Sequence, residues 1–178
     1  EVWRASSVKV LQRLVAEKTA NRWDFDAASV SSPELEALYR ENLLQEVQSG
    51  LHEGMAEGTL PAHRGWAPQF INVFVQAYNT NAIRKQDLPK RWGDRLDARW
   101  KGKLGVEAKA GEWYCSLLKS LGEEKGAGLF RDIATRNGFS VRNGNSVLAN
   151  MVVSGEVPLA LAVYSHMIDG AKERGAPV

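Results

Sequence analysis

Gln69-Phe70-Ile71-Asn72-Val73-Phe74-Val75-Gln76-Ala77 places Ile71, Val73 and Val75 on one face of an extended chain, and the polar loop Tyr78-Asn79-Thr80-Asn81 ends it. Period-two alternation of this kind predicts a β-strand. Strand and helix patterns then alternate on both sides of it. On the N-terminal side, Val2-Trp3 reads as the end of a strand. Ser6 or Ser7 caps a helix carrying Val8, Leu11, Leu14 and Val15 on its apolar face. Residues 25–30 read as a strand. Ser31-Ser32-Pro33-Glu34 opens a second helix: Ser31 and Glu34 have capping-box spacing and Pro33 suits the first turn. Leu35, Leu38 and Tyr39 form its inner face. Residues 49–68, rich in glycine, proline and histidine, read as loop with at most one short helix.

On the C-terminal side the pattern predicts a strand at 103–107, a helix at 111–121 stopped by Gly122, and a helix at 123–136 ending in Asn137-Gly138. A strand at 139–141, a helix at 146–153, a strand at 157–163 and a helix at 165–173 follow. Gly175-Ala176-Pro177-Val178 reads as a turn toward a further strand. Helices interleaved with strands imply an α/β fold with mostly parallel strands and right-handed crossovers. Ligands of open α/β sheets lie beyond the carboxyl ends of the strands, facing helix N-termini. Four junctions fit: Ser31-Ser32, Ala110-Gly111, Asn143-Gly144-Asn145-Ser146 and Tyr164-Ser165. Unpaired N–H groups at such ends bind anions and polar groups, although each serine taken singly is expected first as a plain helix cap. Arg142 directly precedes a glycine-containing turn and marks the third junction as the best candidate. Asn79, Gly111, Asn145, Ser146 and Tyr164 join Ser31, Ser32 and Arg142 as candidate ligand-binding residues.

The chain has 178 residues, enough for one large domain or two small lobes, with 44% hydrophobic and 25% charged residues, which excludes disorder. Cys115 is the only cysteine, so no internal disulfide forms, and the redox compartment stays open. It shares an apolar helix face with Leu118 and is expected in the core. The longest apolar run, residues 157–164, is far short of the ~20 residues that span a bilayer. The first residues do not read as a signal peptide. Net charge is +2, yet residues 84–103 carry a local +5 that leaves the remainder at −3. Trp92 and Trp100 lie within this segment. It reads as a solvated basic face with tryptophans packed beneath, rather than as a nucleic-acid patch.

Motifs for catalysis are missing. The chain contains no G-x-S-x-G, H-E-x-x-H, C-x-x-C or Walker A sequence. His52 and His63 lie in the loop region without metal-ligand spacing and are expected at the surface. His166 follows Tyr164-Ser165, a position that can face a ligand, and is expected in a surface or packing role. No acid–base pair or nucleophile with its base assembles, so catalytic residues and metal ligands are expected to be none.

Four stretches resemble the periplasmic solute-binding proteins of ABC transporters, in the branch that includes the iron(III)-binding proteins. They are Val73-Phe74-Val75-Gln76-Ala77-Tyr78-Asn79-Thr80; Leu88-Pro89 through Trp92-Gly93-Asp94-Arg95-Leu96-Asp97 to Trp100-Lys101-Gly102-Lys103; Arg142-Asn143-Gly144-Asn145-Ser146; and Gly155-Glu156-Val157-Pro158-Leu159-Ala160-Leu161. The family pattern is a strand ending in Y-N-T, a P-x-x-W…W-K-G-K segment, a serine-bearing helix start and a G-E-x-x-x-A strand, in this order.

The resemblance implies a type II periplasmic-binding-protein-like fold of two α/β lobes with mostly parallel sheets, in which solute is trapped between lobes by hinge closure. Residues 1–77 would form a partial first lobe including the crossover strand, and residues 78–178 the second lobe. The family has further chain before Val2 and after the G-A-P-V turn, so the first lobe is expected to be incomplete. Where iron-binding members carry paired tyrosines, this chain carries Ser165-His166 after Tyr164. The expected ligand is therefore a small polar or anionic solute, with no cofactor. Ferric ion is the alternative, as is an enzyme, such as a transferase, on the same fold. The resemblance further implies a monomer in the bacterial periplasm, with an ABC permease as partner and no nucleic acid.

Overall fold

The computed structural model describes residues 2–178, which divide into two compact units, one ending at Ile71 and the other Asn72–Val178. In the first, helices α1 (Ser7–Thr19) and α2 (Ser32–Arg40) bury Leu14, Leu35 and Leu38 together with Leu43. Phe25, Ala28, Val30 and Trp66 pack against this cluster. The strands expected at residues 2–3 and 25–30 do not form. A strand exists only with a partner for its N–H and C=O groups, and among the described residues of this unit there is none. Nor does the capping box form. Ser31 Oγ lies 3.2 Å from Ser7 Oγ, and it is the Ser31 carbonyl that accepts from the Glu34 and Leu35 N–H groups. His63, expected at the surface, is half-buried: its ring stacks on Tyr39 at 3.6 Å and its Nε2 is 3.0 Å from Glu36 Oε2. That hydrogen bond holds the Glu36 carboxyl below its ordinary range.

The second unit is a four-stranded sheet in the order β1-β4-β2-β3. Its strands are β1 (Phe74–Tyr78), β2 (Leu104–Glu107), β3 (Ser140–Arg142) and β4 (Leu159–Tyr164). Strand β2 runs parallel to both β3 and β4, while β1 runs antiparallel to β4. The alternating stretch from residue 69 thus joins the ladder only at Phe74; Phe70 and Ile71, 71% and 65% exposed, precede it. Helices α3 (Gly111–Leu121) and α4 (Glu123–Asn137) connect β2 to β3, α5 (Asn145–Ser154) connects β3 to β4, and α6 (Ser165–Glu173) follows β4.

One core cluster joins Leu104, Leu159 and Leu161 to Phe130 and Ile133 of α4 and to Trp100. The other joins Ala77, Ala160 and Val163 to Leu148 and Val152 of α5 and to Val157. Ala160 and Val163 share a cluster despite their odd spacing. Val75 faces Val163 and Ala77 faces Ala160, so two steps on β1 match three on β4, and the extra residue reverses the side-chain alternation. Residues 159–163 are buried throughout, as expected of a strand covered on both faces. Gly105 lets α5 approach the sheet: a Cβ there would lie 2.5 Å from Val157 Cγ1 and 2.8 Å from Leu148 Cδ1.

In the basic segment, acids and cations answer one another locally. Arg84 pairs with Asp87 at 2.7 Å, Asp94 accepts from the Lys90 and Arg91 N–H groups, and Asp97 accepts from the Arg99 N–H. Trp100 is buried, and Trp92 packs against Trp113 and Phe130. Arg95 departs from the solvated-face expectation: it is 2% exposed, stacked 4.1 Å over the Trp92 ring, and donates to the Arg91 carbonyl and to Gln76. Burial pushes its guanidinium down to about 10.

Cys115 corrects another expectation, since it is exposed on α3 rather than in the core. A thiol reagent such as 5,5′-dithiobis-(2-nitrobenzoate) should therefore titrate it in the native protein without denaturant. Reaction only after unfolding would contradict this placement.

Candidate functional site

The parallel strands end along one edge. Glu107 closes β2, Arg142 closes β3 and Tyr164 closes β4, and each is followed by a short turn or directly by a helix start, at Gly111, Asn145 and Ser165. Antiparallel β1 brings Phe74 to the same edge through its pairing with Tyr164, and the two rings lie 4.9 Å apart. His166 also stacks on Tyr164, with ring centroids 5.7 Å apart. The Ser165 N–H is taken by the Val73 carbonyl at 2.9 Å. Gly111, Arg142, Asn145, Ser146 and Tyr164 are thus brought to a common edge.

Arg142 makes no ion pair with a carboxylate among the described residues. Its Nη1 donates to the Val141 carbonyl at 3.0 Å, and its Nε lies 3.1 Å from Met151 Sδ. Beside it, Asn145 Oδ1 is buried without a hydrogen-bond partner among the described residues. Both features leave polar capacity at the entrance to α5, where first-turn N–H groups have no intrahelical acceptor. Gly144 takes φ +104° to make this entrance, a conformation that glycine adopts without strain.

The other three candidates belong to other elements. Ser31 and Ser32 belong to the first unit, where Ser31 sits against Ser7 at the start of α2. Asn79 belongs to the opposite end of the sheet, where Tyr78 pairs with Leu159 at the beginning of β4. Its side chain serves the fold. Nδ2 donates to the Val152 and Val153 carbonyls at 2.9 and 3.0 Å, and Oδ1 accepts from the Asn81 and Ala82 N–H groups at 2.9 and 3.2 Å. Both amide hydrogens and both oxygen lone pairs are engaged.

Sequence reasoning passed over Glu107. It is 7% exposed, and its two oxygens accept from the Lys109 and Gly144 N–H groups at 2.6 and 3.0 Å. The available signal was an acidic residue closing a short apolar strand, which is costly unless its carboxylate is answered. Two recesses share no residue with this edge. One of about 540 Å³ between α1 and α2 is lined by Leu11, Val15, Ala37 and Arg40, and one of about 720 Å³ by Arg91, Trp92, Leu121, Lys125 and Leu129.

Residues 27–174 match the family described as bacterial extracellular solute-binding protein. Among solved structures, the chain is similar to iron-bound HitA from Pseudomonas aeruginosa, at 20% identity and TM-score 0.82 over 98% of this chain and 57% of that one. It is similar to the substrate binding protein of the ABC transporter from Agrobacterium tumefaciens, at 14% identity and TM-score 0.74 over 96% and 54%. It is also similar to the ferric binding protein from Campylobacter jejuni, at 20% identity and TM-score 0.67 over 89% and 51%. Likeness at these identities speaks to fold: the mixed α/β architecture with a mostly parallel sheet is that of the type II periplasmic binding proteins. The chain spans a little over half the length of each of these relatives.

Proposed function

Because the chain belongs to the bacterial extracellular solute-binding proteins, we propose that it is part of the substrate-binding component of an ABC importer, capturing a small polar or anionic solute. One observation carries this reading: Arg142, with no carboxylate partner among the described residues, stands at an edge where α3, α5 and α6 all begin. Guanidinium and helix-start N–H groups recognise carboxylate or phosphate oxygens through charge-assisted bonds. The protein binds and releases its solute without a chemical step, works in the periplasm as a monomer, and delivers to a membrane permease. The division into a first lobe over 1–77, with its crossover strand, and a second lobe over 78–178 belongs to this proposal.

The test is native mass spectrometry of the protein purified without added ligand. A small solute of constant mass, released on denaturation, is expected. Absence of any adduct, together with no heat of binding for phosphorylated or carboxylated solutes, would overturn the reading.

Ferric ion is the second reading, favoured by the likeness to iron-bound HitA. Tyr164 is followed here by Ser165 and His166, so paired tyrosinates cannot form at this position. Ferric citrate should therefore produce no strong tyrosinate charge-transfer band. A visible band on addition, lost in Tyr164→Phe, would decide for iron.

A further inference from the structure

We propose that Glu107 is a positioning residue of this solute site: its buried carboxylate ties the β2–α3 turn to the β3–α5 turn, so that the starts of α3 and α5 meet one solute as a unit. The inference rests on the reading of this edge as a solute site. Oε2 accepts from the Lys109 N–H at 2.6 Å and Oε1 from the Gly144 N–H at 3.0 Å. Lys109 lies two residues before the first residue of α3, and Gly144 immediately precedes α5. Glu107 and Arg142 form the last register pair of β2 and β3, and only the Ala108 N–H, donating to the Arg142 carbonyl at 2.8 Å, continues the pairing. Beyond that bond, the carboxylate is what joins the two turns.

A carboxylate suits this position and an amide does not. Two N–H donors face two oxygens that both accept, whereas a glutamine would turn its NH2 toward one of the donors. A buried carboxylate that accepts two backbone N–H bonds has its charge answered without a cation. Arg142, its register partner on β3, is therefore left for a solute. Glu107 also fills the Gly144 N–H itself, so solute oxygens are directed to the N–H groups further into the first turn of α5.

The experiment uses isotope-labelled full-length protein titrated with inorganic phosphate, following backbone amide resonances of Glu112 in α3 and of Asn145 and Ser146 in α5. In the wild type these should shift with one shared dissociation constant. Glu107→Gln should weaken phosphate binding tenfold or more, with the two helix starts titrating at different constants. Binding by Glu107→Gln within twofold of wild type, with a shared constant, would overturn the positioning role and leave the solute-site reading standing. A wild type with no response at either helix to phosphate or to a carboxylate such as citrate would instead overturn the solute-site reading, and this inference with it. Should Glu107→Gln not fold, amide exchange of the wild type decides: saturating phosphate should slow exchange at Lys109 and Gly144 by the same factor, and slowing at only one would show that no tie exists.

Discussion

Arg142→Ala should weaken solute binding at least about thirtyfold while leaving the melting temperature of the solute-free protein nearly unchanged. The contrast follows from what Arg142 touches. Its contacts within the fold are a carbonyl of the neighbouring residue and a methionine sulfur, with no carboxylate partner among the described residues. Removing it leaves no buried charge unpaired, so the folded state loses little. A charged group that meets a charged solute at a desolvated edge is worth ~2–5 kcal/mol of affinity, and the low end of that range is about thirtyfold. Arg142→Lys should fall between the two, because the ammonium keeps the charge and loses the planar fork. Calorimetry with the solute found by mass spectrometry, paired with thermal melts, checks both halves. An affinity within threefold of wild type would remove Arg142 from the site.

Asn79→Ala should show the reverse behaviour, costing about 3 kcal/mol of stability with solute affinity unchanged wherever the protein remains folded. Asn79 is 3% exposed and makes four hydrogen bonds, two at the C-terminal end of α5 and two in its own turn. Alanine leaves two carbonyls and two N–H groups to find other partners, and the buried Val152 carbonyl is the hardest to rehydrate. Unsatisfied buried groups cost ~1–3 kcal/mol each, moderated where water reaches them. Asn79→Asp should offer no rescue, since a carboxylate would face two carbonyl oxygens. Urea unfolding with an unchanged m-value is the measurement. A loss below about 1 kcal/mol, or an affinity change without a stability change, would return Asn79 to the solute site.

Much of the second unit was legible because its signals are local. The helix bounds expected at 111–121 and 165–173 coincide with α3 and α6. Gly122, at φ +84°, stops α3, and Tyr164-Ser165 passes directly from strand to helix. Helical hydrogen bonds close within four residues, so periodicity and caps suffice to place them. The strand at 157–163 was close to β4 for a related reason: a continuous apolar run preceded by Gly155 and Pro158 has few other uses. From the order of these elements, the parallel sheet and the edge at which its helices begin followed as consequences of topology.

Residues 25–30 and 69–73 carry as much strand signal as β2, yet neither joins a ladder, because pairing is a property of the neighbour as well as of the segment. Cys115 shares a helix with the half-buried Trp113, Tyr114 and Leu117, but which stripe of α3 turns inward is set by α4 and the sheet. Ser31 had capping-box spacing; Ser7, 24 residues away, took its hydroxyl instead. Glu107, Arg95 and Asn79 are the sharpest cases. Each is polar, buried and answered by partners distant in sequence: Glu107 by Gly144, Arg95 by Gln76, Asn79 by Val152 and Val153. The sequence by itself therefore determined the order and type of the strands and α-helices of the second unit and the edge to examine for a solute. Tertiary structure alone decided which polar side chains hold that edge together and which remain to meet a ligand, because hydrogen bonds across tens of residues leave no periodic trace in the chain.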